Sequence, residues 1–508
     1  MRAVQDPQMQ LGQVNIAEIK FDPKSRDDTP KVLIGLQYIY TNLEVRKEVF
    51  ALLEENLLKK VNKKNGRPGM ELWKILVLGV LRLNLNIDYD RLHDLANAHS
   101  VIRQMLGHAD IFDKYYYNLQ TLKDNIQLLT PELLDKINQV VVKSGHALLK
   151  KKEDDPLHSR VDSFVFETNV HYPTDINLLF DAMRKSISLI FELSKKYEIP
   201  SWRQAKKNIS TIKKLMRSAQ NRKKSRSKDE EIREKQEKLC QEAHQKLIDI
   251  SAEMLIKVQE TLGTLRALED FSFTDEILAV EIEKFVKHGE RQIDQIRRRV
   301  IEGETIPHDE KVFSIFEPHT EWISKGKAGV PVEFGLKVCI IEDQYRFILH
   351  HKIMRKQADV DVCLEIIKET KKRFPNLASG SFDRGFYSKE NRSLLHGTLN
   401  SYILPKKGKL SKADKDYENT EEFKKGRRKH SGVESAINAL EVHGLDVCPD
   451  RGFPAFERYV ALAVVSRNIQ NLGSIIMMQR QKEALKKQRA MERKRLKNLK
   501  PPPLQKAA

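Results

Sequence analysis

The sequence predicts an α/β fold: a sheet-bearing core interrupted by a long helical insertion and preceded by an all-α N-terminal domain. Three observations carry this. Across residues 31–152 apolar residues recur at helical spacing, in short helices joined by loops such as "KKNGRPGM" and "LGHADIFDK". The run "RVDSFVFETNVH" (160–171), rich in Val, Phe and Thr, reads as a buried strand, yet strands resume only after Val312. Between them lie roughly a hundred charged, helix-forming residues with almost no glycine or proline. A chain of 508 residues also exceeds what one core normally organises.

In order, 1–30 is a polar, irregular segment and 31–152 a helical domain. Within the latter, "GRPGMELWKILVLGVLRLNLN" and the helices after it have a basic approach in Lys63, Lys64 and Arg67. That pattern suits a helix-turn-helix-like DNA reader or a plain helical packing domain equally. Residues 153–198 hold the first strand and a helix over 174–196. Residues 199–310 form the insertion; 199–228 contain no acidic residue at all. Such a stretch is either a solvated helical hairpin or a phosphate-contacting face. In 311–475, "VPVEFGLKVCII" and "QYRFILHHKI" form a hairpin through "EDQ", and "VDVCLEIIKETKKRF" is an amphipathic helix. "LASGSF" and "SYILPK" are strands, followed by helices over 428–440 and 455–472, the second stopped by Gly473. Strand, insertion, strand, strand, helix, strand, helix, strand, helix is the element order of a ribonuclease-H-like domain. Residues 476–508 are a basic tail, with ten Lys or Arg against two Glu over 480–500, read as an exposed helix or disordered.

Ninety Lys and Arg against seventy-one Asp and Glu leave a net charge of +19, which favours a polyanionic partner. The four cysteines, Cys240, Cys339, Cys363 and Cys448, form no Cys-x-x-Cys pair, against a zinc ribbon or a disulfide framework. They read as reduced, mostly buried thiols of a cytoplasmic protein. The N-terminus has no signal-type apolar segment, and the most apolar stretch is broken by Lys74 and Arg82, so no membrane span is expected.

Three carboxylates stand out. Asp162 lies inside the first apolar strand, and a buried carboxylate needs a partner, which a divalent cation can be for two or three at once. Asp383, in "SFDRGFYS", ends a strand; the plain alternative is a residue that opens a turn. Glu434, in "HSGVESAINALEVHG", stands beside the core stripe of Val433, Ile437 and Leu440. In the element order above these acids could converge. Convergence suits two-metal phosphoryl transfer, with one ion at the attacking oxygen and the other at the leaving oxygen about 4 Å away. Glu167 and Asp175 are rival first acids: Glu167 faces opposite Asp162 on the strand, and Asp175 looks like a helix N-terminal residue.

The segments 161–175, 314–338, 381–388, "LPKKGK" (404–409) and 430–448 together resemble DDE-type transposases of bacterial insertion sequences, similar to the ISNCY group. The resemblance spans most of 160–473. It implies a ribonuclease-H-like catalytic core, two Mg2+ ions with Mn2+ as a substitute, and cleavage and joining of double-stranded DNA at element terminal repeats and target. It further implies a homodimer or larger assembly on DNA, at the nucleoid in the cytoplasm. Carried over by motif, Asp162, Asp383 and Glu434 are the catalytic acids and metal ligands. "GRPGM" resembles the start of the N-terminal DNA-binding segment of related transposases. Where many relatives place Tyr, Arg and Lys around the last acid, this chain has Arg427, His430 and Glu441. Phosphate clamping therefore passes to Arg427, Arg428, His430 or another basic residue, and Glu441 reads as a solvated helix residue.

Further DNA-backbone candidates are Lys206, Lys207, Lys213, Lys214, Arg222, Lys223 and Lys224 in the insertion, and Lys325 and Lys327 in a glycine-bracketed turn. Ordinary surface lysines are the alternative for the last two. Glu317 and His319 fit a supporting role at a site or a loop-stabilising one. Trp322 fits stacking on an unpaired base or, more commonly, core packing.

Overall fold

The computed structural model describes residues 3–5, 9, 11–22, 25–57, 69–109, 113–149, 152, 154–222, 227–324 and 331–498. The fold is mixed α/β. The chain divides into two compact units: Met1–Thr168 together with Lys325–Ala508, and Asn169–Ser324. It leaves the first unit where a strand ends and re-enters it at residue 325.

The strands are β1 (Leu157–Thr168), β2 (Glu321–Ser324, in the second unit), β3 (Val332–Asp343), β4 (Ile348–Met354), β5 (Leu377–Phe382), β6 (Ser401–Ile403) and β7 (Val447–Cys448). Within the first unit the sheet runs β4-β3-β1-β5-β6. β3 is antiparallel to both β1 and β4, β5 is parallel to β1 and to β6, and β7 pairs in parallel with the end of β1. β1 is therefore central; Phe164–Phe166 are buried on both faces, while His158 is exposed and Arg160 and Asp162 are half-buried on one of them.

The β3–β4 turn is longer than "EDQ" predicts. Asp343, fully buried, accepts the backbone N–H groups of Tyr345 and Phe347 at 2.8 and 2.9 Å, and Arg346 takes a φ of +68°. His146 Nε2 lies 2.5 Å from the other oxygen of Asp343. A buried acid thus spends both oxygens on shaping one turn.

Seven helices precede the sheet among the described residues: α1 (Thr29–Thr41), α2 (Leu43–Leu57), α3 (Leu72–Asn84), α4 (Tyr89–Ala98), α5 (Ser100–Met105), α6 (Leu119–Ile126) and α7 (Pro131–Leu149). They share one hydrophobic core with the sheet. Every residue of α3 except Lys74 is buried, so α3 has no face left for a DNA groove. Lys63, Lys64 and Arg67 lie outside the described residues.

The second unit contains α8 (Asp175–Lys196), α9 (Ala205–Asn221), α10 (Glu230–Arg266) and α11 (Phe273–Ile296) around a core of its own. Thr174 caps α8 by accepting the N–H of Asn177.

Back in the first unit follow α12 (Asp359–Arg373), α13 (Lys389–Thr398), α14 (Lys412–Glu418), α15 (Glu421–His430), α16 (Gly432–Leu440) and α17 (Phe453–Asn498). Two expectations change here. The helix expected over 428–440 is two helices broken at Ser431. The helix expected to stop at Gly473 runs on to Asn498, joining core and basic tail in one element. A Cβ on Gly473 would lie 1.8 Å from the carbonyl oxygen of Lys31, and one on Gly35 would lie 2.2 Å from that of Ile469. Glycine at these positions brings α1 and α17 backbone to backbone; it does not end the helix. Asn468 of α17 donates to Asn138 of α7 at 2.7 Å and exchanges hydrogen bonds with the backbone of Ile348 in β4. The apolar window of α17, long enough in itself to cross a membrane, is 83% buried within its own unit. All four cysteines are buried, and none is in a disulfide.

Candidate functional site

Strand register places the first two acids side by side. Arg160 pairs with Ser381 and Val161 with Phe382, so the next step along both strands sets Asp162 beside Asp383. β5 has just ended there, and the chain turns through Arg384–Phe386. Asp162 is half-buried and Asp383 exposed. Glu434, exposed on the first turn of α16, is brought near because Val433 beside it is fully buried in the core shared with Val161.

The three acids and a fourth share one electrostatic environment. The Asp162 carboxyl is pushed up to about 6, chiefly by burial, with the charges of Asp383, Asp359 and Glu434 adding to the effect. The N–H of Ser163, 2.8 Å from Asp162 Oδ1, works the other way.

Asp359, which the sequence reading did not single out, is the first residue of α12. Its Oδ1 accepts the Ser163 hydroxyl at 2.5 Å, and its Oδ2 faces the Lys337 ammonium at 3.1 Å. A Cβ on Gly385 would stand 2.9 Å from that Oδ2, so Gly385 makes room for Asp359. In sequence, Asp359 looks like any acid favoured in a helix's first turn.

His430 ends α15, half-buried, with Nδ1 3.1 Å from Ser381 Oγ. Burial lowers its pKa, the cations of Arg427 and Arg160 assist, and Asp383 and Glu434 oppose. It is therefore neutral at pH 7, and positive charge on this helix is left to the exposed Lys424, Lys425, Arg427, Arg428 and Lys429. Arg427 and Arg428 line a shallow cleft with Lys415 and Lys424.

In the second unit, Lys206, Lys207, Lys213, Lys214 and Arg217 are all exposed on α9, while Ala205, Ile212 and Ala219 are buried. Positions 206, 213 and 217 form one stripe and 207 and 214 the next, so the cations share one helix face. No ion pair among the described residues engages any of the five. Arg222 is exposed at the end of α9. Lys223, Lys224, Lys325 and Lys327 lie outside the described residues.

The rival acids have other surroundings. Glu167 pairs across β7 with Val447, an odd number of residues from Asp162 and so on the opposite face. Asp175 starts α8 and binds Arg299 at 3.0 Å. Glu317 and His319, both buried, stand 3.7 Å apart. Trp322 packs on Phe313 and Tyr172, with ring centroids at 5.9 and 6.3 Å.

Among the described residues, no three His, Cys, Asp or Glu side chains stand together as a ready-made ligand group. Burial first, and then the neighbouring carboxylate charges of Asp383, Asp359 and Glu434, raise the Asp162 pKa and so make its protonated form easier to keep. The donor set, carboxylate oxygens only, fits a hard cation such as Mg2+ or Mn2+ and no soft one. The arrangement can hold such a cation or a proton at Asp162, with exposed oxygens on Asp383 and Glu434 at a solvent-facing sheet end. Compared with family models, curated proteins and solved structures, the chain gives no match in any of the three.

Proposed function

We propose that the chain is a DDE-type transposase, with a ribonuclease-H-like core in its first unit. The reading is supported above all by the strand register that sets Asp162 beside Asp383, with Glu434 in the same electrostatic environment. The sheet order of the first unit, with the antiparallel strands β3 and β4 on one side of β1 and parallel strands on the other, supports that core.

In this reading Asp162, Asp383 and Glu434 hold two Mg2+ or Mn2+ ions, which when bound supply charge neutralisation for phosphoryl transfer. Asp162 is kept in place by the N–H of Ser163, whose hydroxyl is tied to Asp359. Neutral His430 is a hydrogen-bonding neighbour of the reacting strand, and Arg427 and Arg428 meet its phosphates. The cationic face of α9 binds duplex backbone without reading sequence. The partners are the element's terminal repeats and target DNA, the working form is a homodimer or larger assembly, and the setting is the cytoplasmic nucleoid.

The test is a strand-transfer assay with DNA containing the gene's own flanks and Mg2+. Cleaved 3′ ends joined to target are expected from the wild type. Asp383→Asn keeps shape and local hydrogen bonding but removes a charge, so it should lose activity by orders of magnitude with unchanged folding. Cleavage without joining would make the protein a structure-selective nuclease. Binding with neither activity, alike in wild type and Asp383→Asn, would leave a non-catalytic DNA-binding protein.

A further inference from the structure

A helix covering an α/β sheet normally meets an apolar face, because burial of that face holds the layers together. Under α15 the sheet departs from this. His158 pairs with Ser379 and Arg160 with Ser381, and each pair lies on the face that carries Asp162 and Asp383. β6 continues the floor with Ser401 opposite Ser379. Between this floor and α15 lies an open cleft of about 530 Å³, lined among others by Arg160, Ser379, Ser381, Lys425 and Lys429. Packing alone gives no reason for serines and cations here.

The cations divide into two kinds. Arg160 is committed to the protein: its Nη2 reaches Glu342 at 3.0 Å and the carbonyl of Asp343 at 2.9 Å. Lys425 and Lys429 are exposed, and no ion pair among the described residues engages either. One acid, Glu422, stands at the cleft. Ser379 and Ser381 place hydroxyls along the floor, 2.7 Å from His158 Nδ1 and 3.1 Å from His430 Nδ1. The cleft is also directional. Arg160 precedes Asp162 by two strand residues, about 7 Å at ~3.3 Å each, which is close to one nucleotide step.

We propose that this cleft binds a single DNA strand, seating the nucleotide and phosphodiester next to the one at Asp162 and Asp383, with Lys425 and Lys429 on the phosphates. The volume lies in the range of small-ligand sites and admits a nucleotide. A cleft roofed by one helix suits one strand; the exposed cationic face of α9 suits a duplex. The proposal rests on the reading of Asp162, Asp383 and Glu434 as a phosphoryl-transfer site for its direction, while binding itself needs no metal.

The experiment measures binding of a short fluorescent oligothymidylate to the full chain in EDTA, across a salt series. Lys425→Ala/Lys429→Ala should weaken binding roughly tenfold and lower the salt slope by about 1.4, the loss of two single-strand phosphate contacts at ~0.7 each. Lys425→Arg/Lys429→Arg should restore both. A Lys284→Ala/Lys287→Ala protein, changed at two exposed lysines of α11, should bind this probe nearly as the wild type does. Unchanged affinity and slope in the Lys425/Lys429 alanine protein would overturn the proposal. Equal binding of an oligouridylate, with equal loss, would overturn the assignment to DNA. Absence of strand transfer in the wild type would instead count against the transposase reading and leave these binding results standing.

Discussion

The guanidinium of Arg160 occupies the space that a side chain on Gly432 would fill: a Cβ there would lie 1.9 Å from Nη1. From this position Arg160 reaches Glu342 and the carbonyls of Asp343 and Lys429, so one side chain ties β1, the end of β3 and the end of α15 together. Glu434 begins two residues beyond the glycine, and its placement depends on that tie.

Gly432→Ala should therefore displace Arg160 and loosen the α15–α16 junction. A loss of about 1–3 kcal/mol is expected, the scale for breaking a half-buried charged network. Urea unfolding checks the stability, and strand cleavage at a temperature where the variant is folded should fall further than stability alone explains. A variant with wild-type midpoint and rate would refute the positioning role.

Glu342 gives a pH signature. Its carboxyl is pushed up to about 7, mainly by burial, with Asp343 adding and Arg160 opposing. The folded state then retains a proton that the unfolded state has already released, so this group's contribution is fully present below about pH 4.5 and is lost as pH rises to about 7. Glu342→Gln should match the wild type near pH 4.5 and exceed it at pH 8 by on the order of 2 kcal/mol. Denaturant midpoints at the two pH values decide; an equal difference at both would remove burial as the cause.

Asp162 links protons to metal. With its carboxyl pushed up to about 6 in the metal-free protein, a hard cation must displace a proton at lower pH. Apparent Mn2+ affinity should be flat above about pH 7 and weaken up to tenfold per unit below 6. Calorimetry in buffers of different ionisation enthalpy should show proton release near pH 6 and none for Asp162→Asn. An affinity independent of pH between 5.5 and 7.5 would separate Asp162 from the metal.

The α9 face makes a prediction about salt. Replacing Lys206, Lys207, Lys213 and Lys214 by alanine should weaken duplex binding on all sequences alike. The slope of log affinity against log salt should fall by up to about 3.6, at ~0.9 per contact. An unchanged slope would return α9 to the role of a solvated helix.

Local signals made much of this readable in advance. Leu377–Phe382 was legible as a strand from its bounding proline and turn, and with it the position of Asp383 at the strand end. Thr174 announced the start of α8. What escaped depends on partners distant in sequence. Gly473 carries the signature of a helix stop, and only the carbonyl of Lys31 against it explains a glycine in mid-helix. Asp359 carries the signature of a helix start, and only Ser163 and Lys337 reveal its connection to Asp162. The helices of 31–152 have the pattern of an independent domain, because periodicity reports an apolar face and not what covers it. Here that cover is largely α17 and the sheet.

The close approach of α1 to α17 has a consequence for how the protein comes into being. At ~5–20 residues per second on the ribosome, α1 and α3 wait from about twenty seconds to over a minute for the segment that covers them. During that interval an apolar helix such as α3 is a client for chaperones rather than part of a finished domain. A message cut short before α17 leaves no covered core behind. The N-terminal helices become part of a finished fold only once α17 has been made, so the nascent chain is silent until then.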